Sequence, residues 1–151
     1  MKKLMSFTFP ALILFIVFST SCKKSSTPIP VLTNTALISS ASWKFNKATS
    51  SGIDVSSQIP ACFKDNTITL VSNGTGTITE GALVCAPPAP ATFTWSFLNS
   101  ETQINFSVPL INGGSSTFNV VKLTSDEMQL SQNLTIPPSS TAVSVEVKFV
   151  H

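Results

Sequence analysis

The sequence predicts an all-β domain, because short runs of residues alternate between apolar and polar side chains and turn residues separate them. The alternation is clearest near the end of the chain, where Val143, Val145, Val147 and Phe149 interleave with polar residues. A period of two is the signature of a half-buried strand, and no segment has a convincing helical period. The dipeptide Asn73-Gly74 between two such runs is typical of a β-hairpin turn.

Eight such runs can be placed along the chain. They are predicted at residues 42–49, 67–71, 76–80, 92–98, 104–108, 118–123, 128–130 and 143–149. Most connections are short, which favours an antiparallel meander, and closing it into a barrel removes the exposed edge strands. We therefore expect an eight-stranded antiparallel up-and-down barrel. The alternative is an open sandwich with Greek-key crossings.

The first 22 residues have the pattern of a bacterial lipoprotein export signal. Lys2 and Lys3 precede an apolar run, and residues 18–22, Phe-Ser-Thr-Ser-Cys, resemble a lipobox. The run has the length of a signal-peptide core and is shorter than the ~20 residues of a spanning helix. We predict cleavage after residue 21 and lipidation of Cys22. The alternative is an ordinary signal peptide with a structural Cys22.

The predicted organisation has three parts. Residues 1–21 form the signal peptide, 22–36 a polar, proline-bearing tether, and 37–151 the folded domain. Lys23 follows Cys22 without the aspartate that resembles an inner-membrane retention signal. The expected location is therefore the cell envelope, anchored by lipid to the outer membrane; the face on which the protein lies stays open.

Composition argues against several function classes. The chain contains nine lysines and no arginine, and two of the lysines belong to the signal, so seven lysines face seven carboxylates. A nucleic-acid-binding surface needs a basic stripe, which is missing here. With His151 as the single histidine, neither a Ser-His or Cys-His catalytic pair nor a zinc site is expected. We predict a protein that is not an enzyme and uses no cofactor or metal.

Two cysteines remain once Cys22 carries lipid. Cys62 and Cys85 are expected to form a disulfide in an oxidising envelope. With Asn73 and Gly74 as a two-residue turn, the hairpin register brings the two cysteines opposite each other.

Several short motifs occur in an order that resembles bacterial lipocalin-like lipoproteins. They are Ile59-Pro-Ala-Cys-Phe-Lys-Asp-Asn66, Ser72-Asn-Gly-Thr75, Gly81-Ala-Leu-Val-Cys85, Thr94-Trp-Ser96 and Leu123-Thr-Ser-Asp-Glu-Met-Gln-Leu130. The resemblance implies an eight-stranded lipocalin-like barrel. Ala41 replaces the usual glycine before Trp43, and Lys148 is the only basic candidate for the arginine that lipocalins place across that tryptophan.

The barrel interior is where a ligand is expected. Phe45, Trp95, Phe106 and Phe118 lie on the apolar side of their strands and are the candidate ligand contacts, with the 50–64 connection near the mouth. The same rings can instead be ordinary core. The function expected is a lipid-anchored envelope protein that binds a small apolar ligand. The alternative is a non-catalytic interaction protein, an inhibitor or assembly accessory, with a filled core and an unknown protein partner.

Lipidation can be tested with Cys22→Ala. Removing the acylated cysteine should release the protein from membranes, because the lipid chains are the predicted anchor. Fractionation by sedimentation measures the effect. Persistence of the variant in the membrane fraction would contradict the anchor.

Overall fold

The computed structural model describes residues 31–111, 113–135 and 140–151, and these contain nine strands and three short helical segments. The predicted signal, the cleavage site, Cys22 and most of the tether lie outside the described residues. The strands are β1 Ser42–Ser50, β2 Ile53–Asp54, β3 Thr67–Leu70, β4 Thr75–Thr79, β5 Thr92–Leu98, β6 Gln103–Phe106, β7 Thr117–Leu123, β8 Glu127–Thr135 and β9 Ala142–Val150. The helices are α1 Asn34–Ile38 and α2 Ala61–Lys64, with a 3₁₀ turn at Ser56–Gln58.

Eight strands form a closed antiparallel barrel. Neighbours in sequence pair from β3 through β9, β1 pairs with β3, and β9 pairs with both β8 and β1. Strand β2 adds only a two-residue pairing to the end of β1. This is the up-and-down barrel that the sequence predicts, with the eight predicted strands in their expected order.

A β-bulge in β1 changes which side chains face the interior. Phe45 pairs with Phe149 and Lys47 with Lys148, so Asn46 has no partner in this ladder. Beyond the bulge Ala48 is fully buried and Lys47 is exposed. An extra residue moves every later side chain of a strand to the other face. A second irregularity lies between Val120 and Lys122 in β7, which explains the less regular alternation of that strand.

The predicted register of the β3–β4 hairpin is wrong by one residue. Ile68 pairs with Ile78, and Val71 N–H donates to Thr75 O at 2.8 Å, so the turn contains three residues. Gly74 has a φ of +86°, the left-handed conformation that such a turn needs at its last position. Asn73 accepts hydrogen bonds from Thr75 N–H and Thr75 Oγ1, which stabilises the longer turn.

The barrel interior is packed with apolar side chains. Those that are less than 2 % exposed are Trp43, Phe106, Phe118, Ile38, Leu70, Ile104, Met128, Leu130, Val145 and Val147. Together these side chains form the hydrophobic core that fills the middle of the barrel.

The end of the barrel at which β1 begins is closed by α1, and we call it the α1 end. Thr33 caps the helix by accepting a hydrogen bond from Ala36 N–H, and Asn34 donates to Glu101 in the β5–β6 turn. The helix begins at Asn34, three residues before the expected domain boundary. Its last residue, Ile38, is buried and accepts a 2.7 Å hydrogen bond from the indole N–H of Trp43.

His151, rather than Lys148, lies against Trp43. The two ring centroids are 4.1 Å apart, and the imidazole nitrogens of His151 contact the carbonyl oxygens of Ser42 and Ser125. Lys148 instead forms an ion pair with Glu127. Strand alternation explains this difference, because Lys148 points away from the core face that Val147 and Phe149 occupy on either side.

Among the described residues, no helix has the length and apolar character needed to cross a bilayer.

Trp43→Phe should lower the free energy of unfolding by about 1–3 kcal/mol, because the buried carbonyl of Ile38 loses its donor while most apolar contacts remain. Chemical denaturation measures the loss. His151→Ala removes the imidazole that lies against the indole but keeps the indole hydrogen bond, and serves as the comparison. An unchanged midpoint for Trp43→Phe would contradict this role.

Glu127 should make stability depend on pH. A hydrogen bond from Lys148, with a second from Lys122 at 3.3 Å, holds the pKa of the Glu127 carboxyl below its ordinary value. Because the pKa is lower in the folded state, the ionised carboxylate stabilises the fold at pH values above its unfolded-state pKa of about 4.3. This stabilisation is lost as the pH falls through the folded-state pKa. Glu127→Gln should therefore be less stable than the wild type at neutral pH, with the difference shrinking in acid.

Denaturation curves across this pH range provide the measurement for Glu127→Gln. Asp126→Asn is the matched control, because Asp126 is the exposed neighbour and forms no ion pair within the described part of the chain. A stability difference that stays constant with pH would contradict the role of the Glu127 carboxylate.

Candidate functional site: an apolar pocket at the barrel mouth

An apolar pocket of about 370 Å³ lies at the end of the barrel opposite α1, which we call the pocket end. Its walls come from three connections, namely the β2–β3 segment, the β4–β5 loop and the start of the β6–β7 loop. The end of β4 completes the lining. The residues that line it are Pro60, Cys62, Phe63, Ile78, Cys85, Ala86, Pro87, Pro88, Ala89, Pro90, Val108, Pro109 and Leu110. Its volume is at the small end of the range for ligand sites.

A disulfide joins two walls of this pocket. Cys62 in α2 is bonded to Cys85 in the β4–β5 loop, with a Cα–Cα distance of 5.2 Å. The predicted pairing is therefore present, but the bridge does not join paired strand positions, since the β3–β4 ladder ends at Thr67 and Thr79. Pro60 is the N-cap residue of α2 and Lys64 ends the helix, so this one-turn helix carries both Cys62 and Phe63 to the pocket.

The Glu80 carboxylate, which does not line the pocket, holds the β4–β5 loop in its conformation. Its Oε1 accepts hydrogen bonds from Ala89 N–H at 2.7 Å and Cys85 N–H at 3.4 Å. Because these two amides lie at either end of the proline-containing segment 85–89, one side chain holds the segment in a curve. Charge-assisted hydrogen bonds of this kind are among the stronger ones in proteins.

The loop is also attached to the residues before β3. Leu83 N–H donates to Asp65 Oδ2 at 2.9 Å, and Gly81 N–H donates to the buried Asn66 side chain at 3.3 Å. A β-carbon at Gly81 would lie 2.4 Å from Asp65 Cγ, so this close approach requires glycine. With the disulfide, these contacts fix the β4–β5 loop against α2.

The lining carries no ionisable side chain. Apart from the disulfide it is made of proline, alanine and larger apolar residues, and five of its thirteen residues are prolines, which have no backbone N–H. Four more backbone donors are engaged elsewhere: those of Cys85 and Ala89 by Glu80, that of Phe63 by Pro60 O, and that of Ile78 by Ala91 O. The pocket thus offers apolar surface and few hydrogen-bond donors.

A second, much smaller cavity lies on the barrel side of the pocket. It measures about 20 Å³ and shares Phe63, Ile78 and Leu110 with the pocket as lining. Phe45, Val147 and Phe149 are among its other lining residues. These three shared side chains therefore form the wall between the pocket and the barrel interior.

The four aromatic residues predicted to contact a ligand occupy different places. Phe106 and Phe118 are buried and pack edge to face, with ring centroids 5.8 Å apart. Trp95 packs edge to face against Phe97, and its indole N–H donates to Val71 O and Thr75 O in the β3–β4 turn. Phe45 lines the small cavity, and none of the four lines the larger pocket. Ligand contact by these four stays a prediction.

The pocket itself was missed by sequence reasoning. The 50–64 connection is predicted to lie near the mouth of the barrel, and it does supply Pro60, Cys62 and Phe63 to the lining. The sequence feature that could have indicated the pocket is the segment Ala86-Pro-Pro-Ala-Pro90 directly after Cys85. An analysis of strand alternation classifies this segment only as a long loop.

Within the described ranges, no group of three or more His, Cys, Asp or Glu side chains is arranged to hold a metal ion. The Asp54 carboxyl is outside the pocket, and hydrogen bonds from Ser56 lower its pKa.

The strands of the barrel correspond to a known protein family. The family model described as a lipocalin-like domain matches residues 40–130. The chain belongs to the lipocalin-like domain family. The match spans β1 to the first half of β8, and the structure adds β9, which closes the barrel of this lipocalin-like protein. Comparison with curated proteins yields no match. Eight-stranded barrels are either filled by their own side chains or hold one small ligand, as lipocalins do, so the family supports ligand binding in general terms.

Removing the disulfide should cost about 3 kcal/mol, as expected from chain entropy for a bridge between cysteines 23 residues apart. The variant is the double substitution Cys62→Ala and Cys85→Ala, and denaturation measures it. In the unreduced wild type neither cysteine should react with a thiol reagent. Rapid labelling of folded protein would contradict the bond.

Proposed function

We propose that this protein is a lipid-anchored binding protein of the cell envelope that takes up a small apolar molecule in the pocket at the barrel mouth. The observation that carries the proposal is the 370 Å³ pocket with an uncharged, largely apolar lining. Ligand sites are typically concave and mostly apolar, and burial of apolar surface supplies most of their binding energy. The proposal assigns the protein no catalytic step.

The position of the pocket suits a protein held through its N-terminal segment. Residue 31, the first of the described chain, precedes α1, so the tether joins the domain at the α1 end. The pocket lies at the other end, where the lining precedes β3 and β5 and follows β4 and β6. The point at which the chain enters the domain and the pocket therefore lie at opposite ends of the barrel.

The anchor is part of the same proposal and comes from the sequence. Cys22 carries the lipid, residues 22–36 hold the domain away from the membrane, and Lys23 favours the outer membrane. More than one acyl chain is needed for stable anchoring, which a bacterial lipoprotein supplies.

The solid core favours a second candidate. Phe106 and Phe118 occupy the barrel interior, the place where a barrel of this size can otherwise hold a ligand, and both are 1 % exposed. The alternative function is therefore a non-catalytic interaction protein, an inhibitor or an assembly accessory, in which the loops of the pocket end contact another protein. Leu83 and Val84, which are 52 % and 65 % exposed, lie on the β4–β5 loop and suit this reading.

Analysis of co-purifying molecules tests the ligand-binding proposal. Ala89 lines the pocket, and Ala89→Phe should fill part of it, whereas Ala142→Phe makes the same change at an exposed position on β9. The anchored protein is extracted from membranes and its small molecules are identified by mass spectrometry. We expect an apolar compound with the wild type and Ala142→Phe and much less of it with Ala89→Phe.

The opposite result is equally informative. If no apolar compound accompanies any of the three proteins, and circular dichroism shows all three folded, the interaction-protein alternative is favoured.

A further inference from the structure

The chemistry of the pocket distinguishes between classes of apolar ligand. We infer that the pocket selects an uncharged apolar molecule that carries one hydrogen-bond donor, such as a hydroxyl or amide N–H, and discriminates against carboxylates. This inference rests on the proposed function and names the ligand class of the same site.

The lining of the pocket supplies more hydrogen-bond acceptors than donors. A proline contributes a carbonyl oxygen but no N–H, and Pro87, Pro88 and Pro90 make the β4–β5 loop rich in acceptors. The N–H groups of Cys85 and Ala89 in the same loop are bound to Glu80. A ligand that donates a hydrogen bond therefore meets acceptors, whereas a ligand that only accepts meets few donors.

The lining also lacks a cation that could pair with a ligand carboxylate. No lysine lines the pocket. Lys64 ends α2 next to Phe63, but its Nζ donates to Ser56 O at 3.3 Å, outside the lining. The two ionisable side chains that hold the β4–β5 loop, Asp65 and Glu80, are carboxylates and so supply no cation either. A ligand carboxylate entering here would lose its hydration without gaining a cation, and an unpaired buried charge is costly.

Glu80 cannot easily be replaced as the acceptor that holds the β4–β5 loop. Its Oε1 accepts both amides, and no lining side chain is polar enough to take over this role. The Cys85 and Ala89 donors therefore stay turned away from the ligand for as long as the loop keeps its curve. The donor-poor character of the pocket is built into the loop fold.

Three probes that share one ring system test the inference: 1-naphthylmethanol, 1-methylnaphthalene and 1-naphthoate. The membrane-anchored protein is incorporated in lipid nanodiscs, and binding is measured by equilibrium dialysis at neutral pH. The Ala89→Phe protein in nanodiscs serves as the blank, so that partitioning into lipid is subtracted. Ala142→Phe is the matched control with an unaltered pocket.

We expect 1-naphthylmethanol to bind saturably to the wild type and Ala142→Phe, with a dissociation constant at least about tenfold below that of 1-naphthoate, or ~1.4 kcal/mol. It should also bind more tightly than 1-methylnaphthalene. Equal binding of the alcohol and the carboxylate, or of the alcohol and the hydrocarbon, would overturn the ligand class but leave the binding function intact. Failure of all three probes to bind above the blank would instead argue against the proposed function.

Discussion

The structure depends on the last strand pairing on both of its edges. β9 forms a nine-residue ladder with β8 and a second ladder with β1, which converts an open meander into a closed barrel. Without this double pairing β1 and β8 would each expose an unpaired edge, and the inward side chains of β9 would leave the core. The buried Val145, Val147 and Phe149 are therefore a consequence of closure as much as of hydrophobicity.

Strand identity could be read from the sequence because alternation is a local property. All eight barrel strands were expected within a few residues of their positions, although β8 extends to Thr135, well beyond the short strand expected around Met128 and Leu130. The register in which neighbouring strands pair was harder to predict. The bulges at Asn46 and near Val121, and the third residue of the β3–β4 turn, depend on pairing across strands and on local turn contacts. Helices α1 and α2 are too short to show a helical period.

The candidate site could be predicted only in part, for a related reason. The disulfide follows from cysteine count, but the pocket is built almost entirely by connections, whose conformation comes from tertiary contacts. Glu80 curves the β4–β5 loop, and Asp65 and Asn66 hold it against α2. Alternation instead pointed to the strand aromatics Phe106 and Phe118, which the fold uses as core. Strands here supply stability, and loops supply the cavity.

Phe63, Ile78 and Leu110 separate the pocket from the smaller cavity, so their size determines how deep the pocket is. Phe63 belongs to a one-turn helix and Leu110 to a loop, so neither contributes to a barrel ladder. Related chains can therefore alter the depth of the cavity at these two positions while retaining every strand pairing, and cargo size becomes separable from folding during evolution.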